Sequence, residues 1–281
     1  MLSASIRLSS SLTADGFNKM KWQTFAVVVS LALALLLFAQ HRSAMADFNA
    51  RETVIDLTHT LDDHSPNWEG TERSPFQAKE LGNLQRDGYY SRIFTTQEHY
   101  GTHLDAPAHF AANAWTVEQI PPERLVRPLV VLNVRAKALQ NPEYEVSVQD
   151  VAEWERQHGE VPQGAVVMAY TGWEEYWNSQ QKYRNEQHDG LTHYPGFSLQ
   201  AVEFLVKTRN VVGLGIDTMS VDKGATKTYP IHQFTSQNGV YHLENVAGLG
   251  VVPPSGATIV VAPLKLENGS GAPVRLFALV K

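Results

Sequence analysis

Residues 99–109 read His99-Tyr100-Gly101-Thr102-His103-Leu104-Asp105-Ala106-Pro107-Ala108-His109, placing three imidazoles and a carboxylate in one short segment. A packed core rarely holds that density, because each buried polar group needs its own partner. His99 and His103 are four apart and could share a helical face, but Gly101, Thr102 and Pro107 disfavour helix. The segment is therefore expected as a turn leaving the strand that precedes it, with the site at a strand end. Two neutral imidazoles and a carboxylate suit Zn²⁺ or Mn²⁺ and leave coordination positions for water and substrate. His99, His103 and Asp105 are the candidate ligands. Gly101 permits a tight turn between them, Thr102 can hydrogen-bond a ligand or the backbone, and His109 is left for proton transfer.

Outward from this segment, short β-branched or aromatic runs alternate with helical patterns. Val54–Leu57, Ile93–Thr96, Leu129–Val134, Val166–Tyr170, Val211–Ile216, Thr258–Ala262 and Val274–Val280 read as strands bounded by Pro, Gly or polar residues. Ser147–His158 reads as a helix with Ser147 as N-cap, Asp150 three residues on and Gly159 as the stop. Ser198–Lys207 repeats the pattern, with Ala201, Val202, Leu205 and Val206 on one face. No linker or repeat interrupts residues 47–281, so a single α/β domain is expected there.

Composition narrows the chemistry. The chain has 281 residues, 43% of them hydrophobic, and no cysteine, which excludes disulfides, thiolate metal sites and cysteine nucleophiles together. A formal charge of -6 without a basic run argues against nucleic acid as a partner. Phe25–Ala39 is apolar apart from one serine, follows Lys19 and Lys21, and precedes Ala44-Met45-Ala46. This is the pattern of an export signal cleaved after Ala46, since the apolar run is shorter than the ~20 residues that span a bilayer. Residues 1–46 are thus expected to direct a periplasmic or secreted domain, free of the membrane after cleavage and anchored if uncleaved. Met20 begins a more typical signal than Met1.

A second pair of candidate ligands lies downstream. His232 is expected in a polar loop after Pro230, and Glu244 follows a short apolar run. His242, two residues before Glu244, would share its strand face and competes for the same role. Together with the first segment, these residues resemble the cyclase-type metal-dependent hydrolases, the family of bacterial kynurenine formamidase and isatin hydrolase. The pattern His-x-Gly-Thr-His-x-Asp-x-Pro-x-His matches at every fixed position. Ile55–His59, Gly215–Thr218 through Ser220–Asp222, Ala262–Leu266 and Gly271–Arg275 resemble the flanking strands and loops of that family.

The resemblance implies a swivelling β/β/α fold with a mixed, partly barrel-like sheet and assembly as homodimers or homotetramers, a neighbouring chain contributing to the pocket. It implies one metal held by His99, His103 and Asp105, and a second by His232 and Glu244, with Asp105 bridging and His109 as general acid/base. The His232 to Glu244 spacing favours that pair over His242. The implied reaction is hydrolysis of an amide C–N bond, arylformamidase-like on N-formylkynurenine, or isatin hydrolase-like opening of a cyclic amide or lactone. A metal suits it by lowering the pKa of water and polarising the carbonyl. Trp68, Tyr89, Tyr90, Phe94 and Trp173 are candidates for an aromatic pocket wall, although aromatics more often fill cores. An exported metal-binding protein without catalysis is the alternative of another class. A serine hydrolase is disfavoured because no G-x-S-x-G elbow occurs.

Overall fold

Alternation along the central strands divides the molecule into two apolar layers. The computed structural model describes residues 53–71 and 73–281; the expected export signal and its cleavage site lie outside them. Among the described residues the strands are β1 (Thr53–Asp56), β2 (Gln77–Gly82), β3 (Ser91–Thr95), β4 (His103–Asp105), β5 (Val126–Asn133) and β6 (Glu145–Val146). They continue with β7 (Val166–Tyr170), β8 (Gly196–Phe197), β9 (Gly213–Ile216), β10 (Tyr241–Glu244), β11 (Ala257–Pro263) and β12 (Gly271–Val280). The helices are α1 (Leu84–Asp87), α2 (Arg135–Gln140), α3 (Val148–His158), α4 (Gln180–Arg184), α5 (Leu199–Arg209) and α6 (Pro230–Gln237).

Leu129 and Val131 of β5 and Val166 and Met168 of β7 enter one buried cluster with Leu104, Leu243, Ile259, Val261 and Leu276. The alternate residues Val130, Leu132, Val167 and Ala169 enter a second with Val151, Trp154, Val202 and Leu205 of the helices. A strand buried on both faces must be apolar at every position, which is why these runs read as continuous rather than alternating. The sheet runs β12-β11-β5-β7-β9-β10-β4 and closes through β4 onto β12, a seven-stranded mixed barrel with β1 added along β12. β5, β7, β9 and β10 are parallel to one another, whereas β4, β11 and β12 pair antiparallel. Gly213 and Gly215 of β9 leave space for Tyr241 and Met168 in the barrel interior, since a Cβ at either would lie within 2.7 Å of those side chains.

The helices at Val148 and Leu199 form where their caps lie in sequence. Ser147 and Asp150 make a reciprocal capping box, Ser198 accepts from Ala201 N, and α5 runs two residues beyond Lys207 to end at Asn210 in the left-handed region. Helix α6 and the strands β4 and β10 differ from expectation. His232 lies in helix α6, not in a loop, because Asp222 accepts hydrogen bonds from the backbone N–H groups of Ile231 (3.0 Å) and His232 (3.1 Å). The cap comes from eight residues before the helix, outside the local pattern. The short strands β4 and β10 form by pairing with each other and with their neighbours, which three or four residues of propensity do not announce.

Candidate metal centre

Register builds the floor of the site. In the antiparallel pairing of β4 with β10, His103 stands opposite Glu244 and Asp105 opposite His242. Side chains directly across such a pair lie on the same face, and residues two apart share it. Leu104 and Leu243, which alternate with them, point into the barrel, so all four polar groups project outward together. On the other flank of β4, Asp105 faces Gly271, which has no side chain to cover it. Helix α6 then lays His232 over the cluster.

Asp105 is the hub. Its Oδ1 lies 2.6 Å from His99 Nδ1 and 3.2 Å from His103 Nε2. Its Oδ2 lies 3.2 Å from His232 Nε2 and 3.6 Å from His242 Nδ1. Glu244 approaches His103 Nε2 and His232 Nε2 at 3.5 Å each, and accepts from Val221 N at 2.9 Å. His99 and His109 stack at 4.0 Å between ring centroids. Two groups of donors converge within coordination range of one another, Asp105–His232–His242–Glu244 and His99–Asp105–His109, sharing Asp105.

The far side of each buried imidazole is anchored. His103 Nδ1 lies 3.0 Å from Gly101 O, His232 Nδ1 2.7 Å from Asp222 Oδ2, and His242 Nε2 2.6 Å from Thr235 Oγ1. Anchoring one ring nitrogen directs the other inward as a donor, the usual second contact of metal-binding histidine. Gly101 takes φ +69°, and Thr102 Oγ1 donates to Asn245 O at 2.7 Å while accepting from His59 N. Thr102 thus ties the turn to the strand carrying Glu244.

The electrostatics fit a divalent cation. Burial depresses the His103 imidazole, but Asp105 and Glu244 outweigh it and raise it to about 10. Burial is outweighed likewise at His232 by Asp105, Asp222 and Glu244, again to about 10. Burial would raise Asp105, yet the surrounding histidines hold it well below the usual carboxylate range. The cluster's carboxylates thus recruit positive charge, which an ion supplies in place of protons. His242 Nδ1 is buried without a hydrogen-bond partner and faces Asp105, as an unused ligand atom would. Desolvation by the groups packed against its ring, with His99 and His232 nearby adding to it, lowers His109 to about 4 although the residue is exposed at the cavity, leaving it unprotonated near neutrality.

A cavity of about 720 Å³ opens over the cluster, with Trp68, Phe110, Met219 and Tyr229 among its walls. The structure brings His99, His103, Asp105, His109, His232 and Glu244 to its floor. Of the five aromatic candidates only Trp68 lines it. Trp173 is core, packed with Trp177, Tyr183 and Tyr194, and Tyr89, Tyr90 and Phe94 are exposed around the β2–β3 hairpin. Sequence reasoning set His242 behind His232, yet both converge on Asp105. It gave no role to Asp222; the signal available was an acidic residue shortly before a Pro-initiated helix. Phe110, adjoining His109, and Tyr229, adjoining Pro230, carried no separate signal.

Comparison with known proteins agrees with this geometry. The family model described as "Putative cyclase" matches residues 55–223. An isatin hydrolase of Roseibium aggregatum is 30% identical over 192 residues, covering 65% of this chain and 72% of that protein. A kynurenine formamidase of Geobacillus thermodenitrificans is 28% identical over 222 residues, covering 79% and 94%. The solved structure of isatin hydrolase A from Ralstonia solanacearum superposes with a TM-score of 0.77 at 32% identity, covering 87% of this chain and 97% of that one. With a closed mixed barrel, an Asp105-centred donor cluster and these matches, the chain belongs to the cyclase family of metal-dependent hydrolases.

Proposed function

We propose that this enzyme hydrolyses the amide C–N bond of a small aromatic substrate, a cyclic amide of the isatin type or an arylformamide of the N-formylkynurenine type. The observation that carries the reading is the convergence of His99, His103, Asp105, His109, His232 and Glu244 beneath an aromatic-walled cavity. The similarity to both isatin hydrolase and kynurenine formamidase supports the two substrate types together. His99, His103 and Asp105 would hold one ion and His232 and Glu244 a second, with Asp105 shared and His242 an additional donor. The nitrogen and oxygen donor set suits Zn²⁺ or Mn²⁺. When bound, such an ion polarises the carbonyl and acidifies water.

The chain's own residues supply the rest. His109, unprotonated and at the cavity face, accepts a proton from the attacking water and passes it to the leaving nitrogen. Trp68, Phe110 and Tyr229 stack an aryl ring and exclude bulk water from it. The test is hydrolysis of isatin and of N-formylkynurenine by chelated protein and by the same protein restored with Zn²⁺ or Mn²⁺. Turnover that returns with the ion supports the reading, and the ratio of kcat/KM values selects the substrate. Metal binding without turnover of any amide would favour the scavenging alternative.

The proposal extends to location and assembly. The charged and apolar pattern before Ala46 supports export, which amino-terminal sequencing of the exported protein would test. Leu81, Tyr89, Tyr90, Ile93 and Phe94 are all more than half exposed around the β2–β3 hairpin. A two-stranded ribbon is marginal alone in water, which supports burial of these residues against a second copy; light scattering of the purified protein measures it.

A further inference from the structure

Each buried imidazole of the cluster has one nitrogen anchored and the other turned to Asp105, and His99 has the most elaborate anchor. Its Nε2 lies 2.9 Å from Ser270 Oγ. Ser270 is in turn bound by Glu98, whose Oε2 accepts from Ser270 Oγ at 2.6 Å, Ser270 N at 3.0 Å and Gly271 N at 3.4 Å. A hydroxyl has one proton, and at 2.6 Å from a carboxylate it belongs to that charge-assisted bond. What Ser270 then offers His99 is a lone pair, which only an N–H can use.

Packing holds the ring in that pose. A Cβ at position 271 would come within 2.4 Å of His99 Cε1 and 2.9 Å of both ring nitrogens, so the glycine is the seat of the imidazole edge. His109 stacks against the ring at 4.0 Å. With the proton on Nε2, the lone pair of Nδ1 points at Asp105 Oδ1, 2.6 Å away. Two lone pairs at that distance call for a positive centre beside them.

We propose that Glu98, acting through Ser270, is a positioning residue that keeps the His99 proton on Nε2 and so makes Nδ1 the nitrogen presented to the cation. The inference rests on the cation-site reading given under Proposed function. It sets His99 apart from His103 and His232, whose Nδ1 atoms are anchored and whose Nε2 atoms face Asp105. It also explains why Glu98, which lines the cavity, spends one oxygen on three donors of the opposite strand end.

The test is a long-range ¹H–¹⁵N spectrum of ¹⁵N-histidine-labelled protein loaded with Zn²⁺, with His99 assigned by its loss in His99→Gln. The expected result is a proton on Nε2 of His99 and on Nδ1 of His103 and His232. A proton on Nδ1 of His99 in the loaded protein overturns the relay alone. Failure of the wild type to take up Zn²⁺ overturns the cation-site reading and the relay with it. Competition with a chromophoric chelator provides the second arm. Ser270→Ala should weaken Zn²⁺ binding about tenfold to a hundredfold, the range for loss of a ligand's outer partner. Ser270→Thr, which keeps the hydroxyl, should stay within about threefold of wild type. Equal affinity in wild type and Ser270→Ala, with the melting temperature unchanged, overturns the proposal.

Discussion

The two sides of Asp105 are built differently. Toward the cavity, the His99 side chain is 27% exposed and stacks on an exposed His109, and its anchor is a serine hydroxyl. Toward the interior, the His232, His242 and Glu244 side chains are each no more than 6% exposed. These are fastened by Asp222, Thr235 and the backbone of Val221. The buried side has few ways to move and is suited to retaining an ion. The open side meets solvent and substrate and is suited to moving protons.

Removing the shared group should abolish the distinction. Asp105→Ala is expected to reduce both turnover and bound metal to background, measured by assay and by elemental analysis of the purified protein. His109→Gln should separate the two sides, lowering kcat about a hundredfold or more while metal content stays at the wild-type level. Loss of metal in that variant would show that His109 is a ligand rather than a proton carrier. On the buried side, Asp222→Asn should weaken metal affinity about tenfold to a hundredfold, because it withdraws the charged anchor of His232 Nδ1.

The pH dependence of stability sharpens the same contrast. His103 and His232 are raised from 6.5 to about 10 in the fold. Their contribution is complete below 6.5 and disappears as pH rises toward 10, since the folded state then holds protons that the unfolded chain has already released. Chelated protein should therefore melt at progressively lower temperature from neutral to alkaline pH. Zn²⁺ should flatten that slope by replacing the protons. The smallest expected effect is at the cavity wall: Trp68→Ala should raise KM for an aryl substrate about tenfold or less, with kcat little changed.

Much of this centre was legible because its residues are local. His99, His103, Asp105 and His109 occupy a turn, a short strand and a single 3-10 turn in succession, and Gly101 and Pro107 mark where the chain bends between them. The helices at Ser147 and Ser198 were legible for the same reason, their caps being three residues from the groups they bind. Helix α6 was not, because its cap is Asp222. The face shared by His103, Asp105, His242 and Glu244 depends on the register of two strands more than 130 residues apart in the chain. No pattern within either strand contains that register.

The sequence by itself determined the α/β class, the positions of the main strands along the chain, the donor chemistry of the cluster and the family resemblance, because these follow from residue type and short spacing. Only the tertiary structure decided that β4 closes the barrel between β10 and β12, that His242 joins the donors, and that Trp173 belongs to the core. It also decided which nitrogen of each histidine faces Asp105. Those outcomes are set by partners distant along the chain, and a side chain's role in a buried cluster is fixed by what stands opposite it rather than by what stands beside it in sequence.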